Sequence, residues 1–405
     1  MAYAYRKQPV KTLYWVFQLL VLVLVRLPFW FVVNIPKSTR ARKSWSLKRA
    51  ILVNIVRKVS DILAQTGFPI RLPDSSTISK ASGVRGVWIE PINNLIIGDL
   101  KLWAQAADVS SIRIPGYWLH KQGTNIETAA PAQPGEKVIL QFHGGAYIRF
   151  SAYPKDPSAE VAKGYVKEIE DIQRVFSVEY RLATAPPFKP ANPFPTQLLD
   201  ALAGFNYLVN VVGFTPQNII ISGDSAGGNL AHALTRYLTE YQDSTEVKLP
   251  GTPGGLILLS PWIDLGATTP AIPGGSATRF LNTDYIGDQT KGDALYGKTA
   301  FSGPHGFGIL EANPYISPAS LDPGLVVDFK KFPPTIIVAG GAEILYDSIV
   351  ILKERMAKDL GDRLCYFEEV DGVHDYVTFG WHEPERINAL KEINRWMQGL
   401  GVDKD

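Results

Sequence analysis

Residues 218–230 read NIIISGDSAGGNL. The run Asn218 to Ser222 is apolar and β-branched, which predicts a strand, and from Ala226 to Leu238 the apolar residues recur at helical spacing. Between them, Gly223-Asp224-Ser225-Ala226-Gly227 matches G-x-S-x-G. In a strand–turn–helix context that pattern lifts a serine hydroxyl above the edge of a sheet. Small residues on both sides of Ser225 permit the sharp turn this needs. The helix opening at Ala226 turns the positive end of its dipole towards any oxyanion that forms when Ser225 attacks a carbonyl. A glycine-rich turn without chemistry satisfies the bare pattern too. The strand directly before it and the helix directly after it favour the nucleophile.

Working outward, the apolar run Lys137 to Phe142 predicts a strand that ends in His143-Gly144-Gly145-Ala146. Adjacent glycines let backbone N–H groups approach a substrate carbonyl. The N–H groups of Gly144, Gly145 and Ala226 would then form a three-donor oxyanion hole. His143 reads as a structural orienter of this loop, not as a base. The base must come from elsewhere among the six histidines. His374 stands in Val370-Asp371-Gly372-Val373-His374-Asp375, past the last expected strand and before the last expected helix. It therefore reaches the same sheet edge as Ser225. His232, inside the helix after the serine, reads as packing, and His382 is the competitor. An orienting acid is expected after the strand ending near Val338, where Gly340-Gly341-Ala342-Glu343-Ile344-Leu345-Tyr346-Asp347 offers two candidates. Glu343 lies in the turn and is preferred. Asp347 is the alternative acid, at a position where it could equally cap the next helix. The order Ser225, Glu343, His374 is that of α/β-hydrolases.

The remainder of the chain supports that architecture. Strand-like runs at 86–90, 111–119, 137–142, 172–178, 218–222, 255–260, 335–338 and 363–370 are mostly separated by helical patterns, including 197–209, 226–238, 348–360 and 384–400. Such alternation predicts a mostly parallel sheet with helices on both faces. The Gly/Pro-rich, aromatic segment at about 264–322 interrupts it and is expected to form a lid or cap. Lys+Arg 41 against Asp+Glu 39 leaves no basic field to hold nucleic acid. One cysteine, Cys365, excludes a disulfide framework and a cysteine-based zinc cluster. The chemistry read above needs no metal and no organic cofactor, and nothing in the sequence sets an oligomeric state.

The N-terminus departs from this pattern. Leu13 to Ile35, LYWVFQLLVLVLVRLPFWFVVNI, is apolar almost all round and long enough as a helix to cross a hydrocarbon core of ~30 Å. Arg26 near its middle and Pro28 count against a straight span. No cleavage site suited to a signal peptide follows it. The expectation is membrane association, as a single pass or a kinked interfacial helix, with the endoplasmic reticulum as the expected compartment. Lys37, Arg40, Arg42, Lys43, Lys48 and Arg49 follow the stretch and would place the C-terminal bulk in the cytosol. Ser46 to Thr66 predicts a second, amphipathic helix that could lie over a pocket or on a membrane surface.

These residues carry a family resemblance. The H-G-G-A loop and the G-D-S-A-G-G elbow resemble those of the hormone-sensitive-lipase-like α/β-hydrolases. Val178-Glu179-Tyr180-Arg181-Leu182-Ala183 and Leu259-Ser260-Pro261-Trp262 are similar to further motifs of that family. Arg42-Lys43-Ser44-Trp45-Ser46-Leu47 and Pro115-Gly116-Tyr117-Trp118-Leu119 look like its membrane-anchored fungal subgroup, which includes steryl acetyl hydrolases. The resemblance spans roughly Val84 to Leu400. Two departures stand out: Glu343 replaces the first Asp of the family's D-P-L-x-D, and Lys189 to Asn192 is an insertion. The organisation expected from these patterns is an N-terminal membrane anchor over 1–36, a cap or linker helix over 37–83 and a hydrolase domain over 84–405 with a cap insertion at about 264–322. The resemblance implies a small-molecule ester substrate with a small acyl group on a hydrophobic or amphiphilic alcohol, such as an acetylated sterol. The rival readings are a non-catalytic ligand-binding receptor and a scaffold on the same fold.

Overall fold

The computed structural model describes residues 3–67, 78 and 84–400. The stretch expected as linker between residues 68 and 83 lies, apart from residue 78, outside the described residues. Eight strands form one sheet: β1 (Arg85–Ile89), β2 (Ile114–His120), β3 (Lys137–Phe142), β4 (Ile172–Val178), β5 (Ile219–Asp224), β6 (Gly255–Leu259), β7 (Thr335–Gly340) and β8 (Leu364–Glu369). Their order is β1-β2-β4-β3-β5-β6-β7-β8. The pairs β1/β2 and β2/β4 are antiparallel, and every other neighbour is parallel. The chain thus has the α/β-hydrolase architecture, with β5 at the centre of its parallel part.

Side chains on adjacent strand positions point to opposite faces, and here both faces are apolar. Val138, Leu140, Ile219, Ile221, Leu256 and Leu258 meet one core, shared with the helices Thr196–Tyr207, Ala226–Glu240 and Tyr346–Leu360. Ile139, Ile220, Ile257, Leu259, Ile336 and Val338 meet the other, shared with Glu160–Glu168 and Glu385–Gln398. A sheet buried on both sides reads as continuous hydrophobic runs, which is why these strands were legible.

Several boundaries differ from expectation. The second strand starts at Ile114, not Ser111, because the Ser111 hydroxyl accepts from the N–H of Ile92 and turns the chain there. The elbow strand runs past Ser222 to Asp224, because Gly223 and Asp224 still pair with Leu258 and Leu259. The 264–322 segment, expected as a lid or cap, carries secondary structure of its own. It forms the short helices Ser276–Arg279, Gly292–Ser302 and Ile309–Ala312, and buries Phe280, Phe301, Leu310, Tyr315 and Ile316 in the first core.

At the N-terminus, helical structure runs from Val10 to Asn34, long enough and apolar enough to cross a membrane. Leu13 and Leu24 are 65% and 69% exposed on it. Pro28 does not break the run. A π turn, Leu22–Arg26, precedes it and absorbs the missing backbone donor. Arg26 donates to Gln18 Oε1 at 3.0 Å along the same helix. The second helix is Leu47–Thr66, capped by the Ser46 hydroxyl at the N–H of Arg49. Trp15 on the first helix donates to Thr66 on the second.

The elbow depends on close backbone approach. A Cβ on Gly227 would lie 2.1 Å from the Phe142 carbonyl oxygen at the end of β3. Gly287, by contrast, has open space around its Cβ position. Gly227→Ala is therefore expected to lower stability by about 1–3 kcal/mol or more, because backbone must move. Gly287→Ala should stay within ~0.5 kcal/mol of the parent. Urea or thermal unfolding of the two variants checks the contrast, and equal stability would show that the β3–elbow contact yields easily.

Candidate active site

Ser225 sits between β5 and the helix Ala226–Glu240 with φ 51° and ψ −117°. For a residue with a side chain this is a strained turn costing on the order of 1–3 kcal/mol, so the surroundings must enforce it. They do so through the backbone. The Ser225 N–H donates to the Leu259 carbonyl at the end of β6, and the Trp262 N–H donates back to the Ser225 carbonyl, both at 2.9 Å. Ser225 retains 8% of its surface, while His374 and Glu343 retain 3% and none.

His374, on the loop after β8, brings Nε2 to 2.9 Å from Ser225 Oγ. Its Nδ1 lies 2.9 Å from Glu343 Oε2. The other oxygen of Glu343 accepts from the Gly340 N–H at 2.7 Å and from the Ser260 hydroxyl at 3.0 Å. Burial pushes the Glu343 carboxyl above its usual value, and hydrogen bonding and charge from His374 oppose the shift. For His374, burial alone would depress the pKa. Asp375 and then Glu343 outweigh burial, and the imidazole lies well above its ordinary value. Hydrogen-bonded in this way, the three side chains can move a proton from the hydroxyl to Nε2, while the carboxylate holds Nδ1–H and compensates the charge.

Asp347, the alternative acid, is engaged elsewhere. Its Oδ2 accepts from the Ser276 N–H at 2.7 Å, and Arg279 lies 3.7 Å from its Oδ1. It pins the short helix Ser276–Arg279. His382 pairs with Glu385, which also binds Arg49. His232 packs against Phe329 and Phe332. Neither is part of the Ser225 cluster.

The oxyanion loop requires one correction. The Gly144 N–H, expected to be a free donor, is committed to Asp224 Oδ2 at 2.8 Å. Asp224 Oδ1 accepts from Gln141 Nε2, so this carboxylate ties the loop to the elbow. Its pKa lies well above the usual range, raised by burial first and by Asp375 second. Gly145 takes φ +106°, open to glycine, and a Cβ there would strike the Arg149 carbonyl. Ala226 opens its helix, so its N–H has no intrahelical acceptor. His143 lies under the loop. Its ring stacks on Tyr180 at 4.3 Å, its Nδ1 is 2.8 Å from the Gly144 carbonyl, and burial lowers its pKa to about 4.

Residues that sequence reasoning passed over hold the loops in register. Asp284, from the 264–322 segment, accepts from the N–H groups of Ile344 at 2.8 Å and His374 at 3.2 Å. It thereby clamps the acid loop to the histidine loop. Burial raises its pKa to about 6. Asp371 receives Arg42 Nε at 3.1 Å and Ser44 Oγ at 2.8 Å, and its carbonyl receives Trp45 Nε1 at 3.2 Å. Arg57 donates to the carbonyls of Asn282 and Asp284. No spacing in the sequence announces such long-range grips. Arg42, Ser44 and Trp45, and likewise Ser260, stand in motifs that the sequence offered, but without any sign of these partners.

The chain is similar to known hydrolases in family and fold. The profile of the family described as alpha/beta hydrolase fold matches residues 139–378. An esterase of Acinetobacter venetianus is 28% identical over 302 residues, covering 73% of this chain and 83% of that protein. Steryl acetyl hydrolase 1 of Saccharomyces cerevisiae is 22% identical over 263 residues, covering 64% of this chain and 57% of that protein. Among solved structures, a hormone-sensitive lipase from a metagenome library superposes with a TM-score of 0.51 at 26% identity, over 71% of this chain and 82% of that one.

The two acidic candidates separate experimentally. Glu343→Gln is expected to fold and to lose up to ~10⁴-fold in turnover, through the wrong tautomer and an uncompensated imidazolium. Asp347→Asn should keep its turnover and lose about 1 kcal/mol of stability with its helix contact. Turnover and melting temperature of both variants decide, and the reverse pattern would move the acid to Asp347.

Proposed function

The chain belongs to the alpha/beta hydrolase fold family, and from that premise we propose that Ser225, His374 and Glu343 form its catalytic triad. The enzyme is a carboxylesterase/lipase-type hydrolase acting on small-molecule esters. The observation that carries the finer reading is the continuous hydrogen-bonded chain Glu343–His374–Ser225 at the strained elbow. Ser225 Oγ attacks the ester carbonyl while its proton passes to His374 Nε2. The N–H groups of Gly145 and Ala226 hold the oxyanion, and the loop position of Ala146 makes its N–H the natural replacement for that of Gly144. Collapse of the tetrahedral intermediate expels the alcohol, which takes the proton from Nε2. Water then repeats the sequence on the acyl-enzyme.

The proposed substrates carry a small acyl group on a hydrophobic or amphiphilic alcohol, with acetylated sterols as one candidate. The resemblance to the fungal subgroup and the likeness to a steryl acetyl hydrolase support this. The exposed apolar helix Val10–Asn34 supports membrane association as a single pass, with the endoplasmic reticulum as the proposed compartment. Such a location would give the site access to esters dissolved in the bilayer. A receptor or scaffold role is the weaker reading, because its esterase relatives are enzymes and the histidine such a protein could discard is hydrogen-bonded to the serine.

A fluorophosphonate probe should label Ser225 in the full chain, and Ser225→Ala should abolish both labelling and ester turnover by orders of magnitude. Undiminished turnover in that variant would remove the triad. Acetyl and butyryl esters should be cleaved faster than palmitoyl esters. The decline should be gradual, since a hydrophobic pocket discriminates a methylene by only ~1–3 kcal/mol. A preference for long chains would point to a lipase. The full chain should also resist carbonate extraction from membranes, and its recovery in the soluble fraction without detergent would refute the anchor.

A further inference from the structure

The mechanism above leaves one contact of the histidine unused. Asp375 Oδ2 lies 3.2 Å from His374 Nε2, the nitrogen that also faces Ser225 Oγ. With Glu343 at Nδ1, the imidazole is held between two carboxylates, one at each nitrogen. The placement of Asp375 is built into the fold. Its backbone takes the left-handed conformation, φ 49° and ψ 34°, which Asp and Asn tolerate better than most residues. Its N–H donates at 3.1 Å to Ser260 Oγ, the hydroxyl that donates to Glu343. The residue is only 6% exposed, and its Oδ1 is buried with no hydrogen-bond partner among the described residues. A carboxylate left half-satisfied in a buried site is costly, so a role at the imidazole is the economical account of it.

We propose that Asp375 is a positioning residue for the proton on His374 Nε2, a second acceptor that competes with Ser225 for it. This rests on the roles proposed above for Ser225 and His374. When His374 carries two protons, Nδ1–H points to Glu343 and Nε2–H is shared between Asp375 and Ser225 Oγ. The serine then has no base. Loss of the Nε2 proton frees the lone pair for the Ser225 hydroxyl. As the bond from Oγ to the carbonyl carbon forms and the C=O π pair moves onto the oxygen, the serine proton passes to Nε2 and Asp375 faces the new imidazolium. When the ester C–O bond breaks, that proton leaves with the alcohol. The same carboxylate therefore withholds the base at low pH and stabilises the charged intermediate once turnover begins.

The charged and titratable groups around the imidazole come from four further positions. Glu343 comes from the loop after β7, Asp284 from the 264–322 segment, Asp224 from the end of β5, and Tyr285 stands 6.0 Å away, ring centre to ring centre. None of them is cationic. Of the groups that raise the His374 pKa against burial, Asp375 ranks first. The neutral base is thus depleted as pH falls through a value above the ordinary imidazole range, and activity should rise with pH through that value.

The test is the pH dependence of kcat/KM and of fluorophosphonate labelling, measured on the full chain in detergent for the parent, Asp375→Asn, Asp375→Glu and Ser225→Ala. Asn keeps the shape and the left-handed backbone but removes the charge. Its acid limb should move to lower pH by roughly one to three units, the size expected when an opposite charge a few ångströms away is lost. Asp375→Glu should keep its limb near that of the parent, which a purely structural role would not require. An unmoved limb in a folded Asp375→Asn overturns the inference. Should that variant fail to fold, the parent decides, because an acid limb at or below about 6.5 contradicts a doubly paired imidazole. Ser225→Ala separates the two readings. Turnover surviving in it removes the triad, whereas an inactive Ser225→Ala beside an unmoved Asp375→Asn limb removes only the role of Asp375.

Discussion

Everything around the site converges on the carboxylate of Glu343, which is fully buried and receives three donors. One oxygen takes the imidazole of His374. The other takes the Gly340 N–H at the end of β7 and the hydroxyl of Ser260 after β6. Burying a carboxylate is expensive unless its acceptor capacity is filled, and here the filling groups come from three separate loops. Each donor is therefore also a positional constraint. If the end of β6, the end of β7 or the loop after β8 drifts, a buried charge loses a partner, and that cost keeps the loops together. Ser260 adds to this by accepting from the N–H of Asp375, so one hydroxyl links the acid to the residue after the histidine.

The sheet makes such a convergence possible. Parallel strands end on one edge, and the loops after β3, β5, β6, β7 and β8 all emerge there. The elbow depends on a close approach there, with Gly227 against the Phe142 carbonyl. Asp224 then secures the neighbouring loop by accepting the N–H of Gly144. One consequence is that the first glycine of His143-Gly144-Gly145 serves architecture.

The parts that were legible in the sequence share a physical cause. The strands buried on both faces write themselves as apolar runs, and the serine, histidine and acid lie at the ends of those runs, where local pattern and chemistry coincide. Ser225 and His374 could be chosen from their neighbours in the chain. Glu343 could be preferred over Asp347 because it directly follows the strand. The illegible parts are contacts between distant segments. Nothing near Asp284 in sequence indicates that its carboxylate bridges Ile344 and His374, and nothing near Asp371 indicates Arg42, Ser44 and Trp45. The commitment of the Gly144 N–H was hidden for the same reason. Asp224 fills the variable position of G-x-S-x-G, and the pattern does not show that its side chain reaches back to the loop after β3. The π turn Leu22–Arg26 just before Pro28 is likewise invisible in the apolar pattern, which shows only that a proline interrupts the span.

The grips on Asp371 and Asp284 also connect the two ends of the molecule. The segment that leaves the apolar helix Val10–Asn34 places Arg42, Ser44 and Trp45 on Asp371, at the start of the loop that carries His374. The next helix places Arg57 on the carbonyls of Asn282 and Asp284, and the Asp284 carboxylate binds the N–H of the same histidine. Arg49 meets Glu385 at the head of the last helix. These contacts come from one continuous stretch and land on both sides of His374, so the stretch braces the histidine loop as well as covering it. A linker that only tethered the domain would gain nothing from directing its bonds to the residues that set the imidazole. Because it does direct them there, the apolar helix and the histidine loop are mechanically joined through a few polar side chains.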